Sequence, residues 1–112
     1  MVDKGVMIDQ DRRLFHRIAV DCPLRFKDYK QGLENRGFCW DIAAAGAGIF
    51  SKHRLAPQEK VDFWLELPDK YEPLNLNGEV VWSSQVEPDT WRTGIKFKDI
   101  HLMGLSRILR LA

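Results

Sequence analysis

Two short segments hold the side chains best suited to recognition. The first is Asp11-Arg12-Arg13-Leu14-Phe15-His16-Arg17 and the second is Asp41-Ile42-Ala43-Ala44-Ala45-Gly46. Guanidinium forks donate in pairs to phosphate oxygens and to the O6/N7 edge of guanine. A carboxylate accepts from a base that presents N–H donors. A concentration of arginines before a strand, and one carboxylate ahead of a small-residue loop ending in glycine, together point to a site for a guanine nucleotide.

Other chemistries find little support. His16, His53 and His101 make no catalytic arrangement with a cysteine or serine. There is no HExxH, GxSxG, P-loop or paired-carboxylate signature, so the chain reads as a non-enzyme with no cofactor. Cys22 and Cys39 lack CxxC spacing and read as reduced thiols, Cys22 on the apolar side of a strand. No third ligand stands at a metal-like spacing.

The chain has 112 residues, 45% of them apolar, enough for one domain with a real core. Its 17 basic and 16 acidic residues leave a net charge of +1, which argues against coating a nucleic-acid polymer through phosphate contacts. No apolar run is long enough to span a membrane, and Met1-Val2-Asp3-Lys4 does not begin a secretory signal, so a cytoplasmic location is expected. Residues 1–11 read as a flexible N-terminal arm and 12–112 as a single domain.

The elements that would hold the candidate residues are mostly strands. Ile18, Val20, Cys22, Leu24 and Phe26 alternate with polar neighbours, which predicts a strand with one buried face, and Pro23 marks an edge or bulge. Asp28 to Gly37 reads as turn. A second strand carries Phe38, Trp40 and Ile42 inward and Cys39 and Asp41 outward. The Ala43–Gly48 loop breaks it, and Ile49-Phe50 resumes extended structure. Val61, Phe63, Leu65 and Leu67 form another strand, as do Leu74, Leu76, Gly78, Val80 and Trp82. Ser83 to Asp89 reads as a hairpin loop before a strand from Trp91 to Phe97. Leu102, Leu105, Ile108 and Leu109 shift to helical spacing, with Asp99 to cap the helix and Arg107 and Arg110 at its negative end. About six short strands and a terminal helix predict an all-β fold, a small antiparallel barrel.

Strand phase places Arg17 and Asp41 on one outer surface if their strands are neighbours, with Arg12 and Arg13 at the hinge of the arm. The plain alternative is that these are solvated charges and that Asp41 simply pairs with Arg17. Trp82 shares the inward phase of Leu76 and Val80, so core packing competes with a ligand contact there. Trp64 falls on a wet phase, as a partner contact or beneath the helix.

Arg13-Leu14-Phe15-His16-Arg17 resembles the RxxxR signature of PilZ domains, and Asp41 to Gly46 is similar to their D/NxSxxG signature. Gly78-Glu79-Val80-Val81-Trp82 and Gly94-Ile95-Lys96-Phe97 also resemble the family pattern in order and spacing. The resemblance runs from about Arg12 to the terminal helix. It implies a six-stranded antiparallel β-barrel of the PilZ split-barrel type with a short C-terminal helix. It implies a receptor for cyclic di-GMP, a bacterial second messenger. Arg13 and Arg17 would grip phosphate and the guanine O6/N7 edge. Asp41 would accept from guanine N1–H and the exocyclic amine, and Gly46 would let the backbone approach the ligand. Trp82 is a further stacking candidate. Arg12, directly before the motif, implies a stacked pair of ligand molecules, and ordering of the arm would signal to a protein partner acting in motility, exopolysaccharide or pilus control. The family serine is Ala43 here, which removes one hydroxyl.

Two other functions compete. A PilZ-like adaptor would bind a protein partner without cyclic di-GMP, and Ala43 is one step that way. A barrel binding single-stranded RNA would use exposed aromatics and a basic groove, which the near-zero net charge disfavours.

Overall fold

The alternating segments pair into one closed sheet. The computed structural model describes residues 17–30, 32–99 and 102–111. Six strands run in order: β1 (Ile18–Asp28), β2 (Glu34–Ala43), β3 (Gly46–Ser51), β4 (Lys60–Leu65), β5 (Leu74–Glu87) and β6 (Thr90–Asp99). Among the described residues one helix, α1 (Leu102–Leu109), follows β6. The strands close a barrel in the order β1-β2-β3-β6-β5-β4, every neighbouring pair antiparallel. The predicted all-β barrel with a terminal helix is the observed fold. The predicted arm, residues 1–11, lies outside the described residues, as do Arg12 and Arg13.

Where period two is clean, the expected faces are correct. Leu24, Phe26, Val61, Phe63, Leu65, Leu76, Val80 and Ile95 fill the barrel. The bounds differ in several places. The expected Ala43–Gly48 loop shrinks to the turn Ala44-Ala45, because Ala43 ends β2 and Gly46 already begins β3, and β4 stops at Leu65, before Leu67. β1 continues to Asp28, which is fully buried with His53 Nε2 3.9 Å from its Oδ2, and β2 begins at Glu34, so the turn is shorter than Asp28–Gly37. Ser83 to Glu87 is strand, and only Pro88-Asp89 turns, because a two-sided exposed ribbon needs no alternation.

Three expected inward residues face out. Phe38 is 53% exposed and Trp82 42% exposed, while Trp40 is half-buried on the outer surface and Cys39 is buried instead. The cause is local insertion. Register shifts fall between Cys39 and Asp41 in β2 and between Val80 and Trp82 in β5. Each bulge adds one residue and reverses the phase of the residues beyond it.

Eight residues cannot sustain a helix alone. Fully buried Ile108 anchors α1, which packs on β2. Arg110 reaches the Ser106 carbonyl, as expected of a cation at the helix end. Arg107 does something else. Its Nε and Nη2 donate to Asp69 at 2.8 and 2.9 Å, tying the helix to the loop after β4. Ile100 and His101, which would complete the Asp99 cap, lie outside the described residues.

The Arg107 hydrogen bonds, more than any other contact, hold the Asp69 carboxyl below the usual carboxylate range. A carboxyl depressed in the folded state stabilises above its unfolded pKa, about 3.9, and loses that contribution as pH falls through the folded value. Asp69→Asn is therefore expected to cost about 1 kcal/mol at pH 7, at the upper end for a partly exposed pair. The deficit should shrink as pH drops below about 4, because wild type then loses the pair as well. Thermal melts across pH 2–7 check this, and a deficit independent of pH would rule it out.

Candidate functional site

The β2 bulge builds the carboxylate end of the site. Asp41 pairs with Gly48 in β3, and its side chain, 20% exposed, lies on the barrel's outer wall. Arg17 donates to it through Nε at 2.6 Å and Nη2 at 3.0 Å, and the Gly48 N–H donates to Oδ1 at 2.9 Å. The hydrogen bonds from Arg17 raise its pKa above the ordinary value. Arg17 and Asp41 thus share one outer surface, as strand phase predicted, and they pair with each other.

A thiol steadies the bulge. Cys39 Sγ donates to the Asp41 carbonyl at 3.1 Å. Burial pushes this thiol up to about 12, so it stays protonated and keeps its donor. Both cysteines are free.

From Asp41 a row of paired residues crosses four strands. Asp41 pairs with Gly48, Gly48 with Gly94, and Gly94 with Trp82. At about 4.8 Å per strand, this row spans roughly 14 Å from carboxylate to indole positions. The two glycines are required. A Cβ at Gly48 would run into the Trp40 ring and Asp41 Oδ1, and a Cβ at Gly94 would run into the Trp82 indole. Trp40 and Trp82 can therefore lie close against the sheet, with ring centroids 6.5 Å apart. Phe50 stands 4.6 Å from Trp40, and the Arg92 guanidinium sits 4.8 Å over the Trp40 ring. The result is an aromatic floor beside a carboxylate and a guanidinium, a surface on which a planar base can stack.

The remaining candidates have these places. Gly46 pairs with Lys96, and a Cβ there would strike the Ile95 carbonyl, so the close approach of β3 and β6 already demands glycine. Ala43 ends β2 and is only 2% exposed. Trp82 lies on the floor. Trp64 sits beneath Arg25 and Trp91 beneath Arg54, away from the row. Sequence reasoning missed Trp40, Phe50 and Arg92 as floor residues. The signal available was the small residue at both Gly48 and Gly94, which leaves room outside the sheet for large rings. Open depressions of 960 Å³ beside Phe38, bordered by the floor residue Phe50, and of 510 Å³ beside Lys60 include neither Arg17 nor Asp41. Among the described residues no group of three or more His, Cys, Asp or Glu is placed to hold a metal, and no helix is long and apolar enough to cross a membrane.

Known proteins share this architecture. The PilZ domain of CeSA, from a cellulose-synthesizing bacterium, superposes with a TM-score of 0.62 at 19% identity, covering 86% of this chain and 93% of that one. The YcgR PilZ domain of Escherichia coli, solved with c-di-GMP, gives a TM-score of 0.62 at 14% identity, covering 85% and 83%. Bacillus subtilis MotI/DgrA gives 0.68 at 13% identity, covering 84% of this chain and 46% of its own. The chain thus spans under half of MotI/DgrA and nearly all of the CeSA domain. These likenesses are of fold. No curated protein matches the sequence itself. The PilZ domain family model matches residues 11–112, nearly the whole chain, and the chain belongs to the PilZ domain family.

Proposed function

We propose that this protein is a receptor for cyclic di-GMP and not an enzyme. The observation that carries this reading is the Asp41–Gly48–Gly94–Trp82 row with Arg17 at its carboxylate end. It is supported by family relatives solved with that ligand, namely E. coli YcgR, Borreliella burgdorferi PlzA and K. pneumonia MrkH. Asp41 accepts from guanine N1–H and the exocyclic amine, Arg17 donates to the O6/N7 edge, and the base stacks on the indole floor. Binding exchanges the hydrogen bonds that Arg17 and Asp41 make to each other for hydrogen bonds to ligand. Arg12 and Arg13 clamp phosphates from the arm and admit a stacked pair of ligands. Ordering of that arm presents a new surface to a cytoplasmic protein partner.

Ala43 removes one neutral hydrogen bond, about 0.5–1.5 kcal/mol. The charge-assisted bonds of Arg17 and Asp41 are the stronger ones, so binding survives the change. Gly46, the first residue of β3, keeps the backbone bare at the start of that strand, where the ligand approaches. A second reading, a ligand-free adaptor, draws on two observations. Arg17 and Asp41 already satisfy each other, and Ala43 is nearly sealed from solvent.

Calorimetric titration with cyclic di-GMP separates the two. The receptor reading expects a saturable isotherm in wild type that Arg17→Ala weakens at least about tenfold, roughly 1.4 kcal/mol. No heat up to high micromolar ligand would establish the adaptor reading.

A further inference from the structure

We infer that Arg92, which lies outside both signature segments, is a phosphate-binding residue of this same site. This rests on the receptor reading above. Arg92 is exposed on β6, two positions from Gly94 on the same face of the strand. Its cross-strand neighbours are Phe50 and Ser84, both neutral. Its guanidinium lies 4.8 Å over the Trp40 ring, 5.9 Å from the Trp82 ring and 6.0 Å from the Phe50 ring. Among the described residues it makes no ion pair.

Charge balance gives this cation its purpose. Arg17 and Asp41 cancel, so the base-reading pair brings no net charge to the floor. A cyclic dinucleotide brings two phosphodiester anions, which need cations from elsewhere. Lys96, on the same face of β6, stands opposite Glu79, which offsets it. Among the described residues Arg92 has no such cross-strand neighbour. Three rings fix its planar group by cation–π attraction, so little side-chain freedom is lost when it takes an anion. Arg92, built into the wall, takes one of these phosphates. The aromatic floor and its cation thus work as one device, stacking a base and holding the adjoining phosphate.

The test is calorimetry with cyclic di-GMP at low and high salt, on wild type, Arg17→Ala, Arg92→Ala, Arg92→Gln and Arg92→Lys. Arg92→Ala should weaken binding roughly tenfold to a hundredfold, the range for a charge-assisted hydrogen bond. Its affinity should fall less steeply with salt than wild type's, since one exposed charge contact is gone. Arg92→Lys should recover part of both. Arg92→Gln keeps a planar group without charge and should behave like Arg92→Ala, which guards against a loss caused by misfolding. Wild-type affinity in Arg92→Ala, with Arg17→Ala impaired, would overturn this inference and leave the receptor reading standing. A weaker Arg92→Ala with unchanged salt dependence would overturn it too, because the arginine would then only brace the floor. No binding by wild type would remove the receptor reading itself.

Discussion

The Asp41→Ala variant is expected to bind cyclic di-GMP about a hundredfold more weakly than wild type while keeping its fold. The carboxylate is the one acceptor in the row placed for a base that presents two N–H donors. Charge-assisted hydrogen bonds each contribute about 1.5–3 kcal/mol, and part of that is offset in wild type by the Arg17 bonds that ligand must displace. A net loss near 2.7 kcal/mol corresponds to the hundredfold change. Stability should move by only about 1 kcal/mol, because Arg17 is 52% exposed and so screened an ion pair contributes little, which leaves the lost acceptor of the Gly48 N–H as the main cost. Asp41→Asn sharpens the reading. It keeps an acceptor for the Gly48 N–H but turns an amide donor toward the ligand's donors, so it should bind no better than the alanine variant. Calorimetry and a thermal melt on both proteins check this. An Asp41→Ala protein that binds like wild type would show that the carboxylate does not read the base.

Phe63→Ala should give the largest loss of stability. Phe63 is 1% exposed and stands between Phe26 and Leu76, its paired neighbours in β1 and β5. Its ring lies 6.4 Å from that of Phe26. Removing a buried phenylalanine costs about 3–5 kcal/mol, from lost burial and from the cavity left behind. Against a total of about 5–15 kcal/mol this is severe. The melting midpoint should fall by about 12 °C or more. β4 takes no part in the Asp41–Trp82 row, so the folded fraction at low temperature should still bind ligand with near wild-type affinity. Circular dichroism melts give the first quantity and titration in the cold the second. A midpoint shift of only a few degrees would mean that the barrel interior repacks around the gap.

Much of this was legible in the sequence for a physical reason. A barrel with a dry interior imposes period two on its strands, and Leu24, Phe26, Phe63, Leu76, Val80 and Ile95 obey it. The same counting puts Arg17 and Asp41 on one face. Counting fails past a bulge. One extra residue at Trp40 and one at Val81 reverse the phase and put Trp40 and Trp82 outside. Nothing in composition marks such an insertion, since tryptophan is as credible in a core as on a floor. Gly48 and Gly94 are the trace it leaves. Asp28 shows the converse. A carboxylate at the end of an apolar alternation looks like a strand end, yet here it is enclosed.

The nearness of Trp40 and Trp82 to each other on the floor has an optical consequence. Trp64 and Trp91 lie under other arginines, away from the row, so two of the chain's four tryptophans report from the floor and two serve as an internal reference. Indole emission responds to a stacked purine and to a nearby guanidinium alike. The unlabelled protein therefore carries its own gauge of occupancy, one that reads arrival at the floor directly.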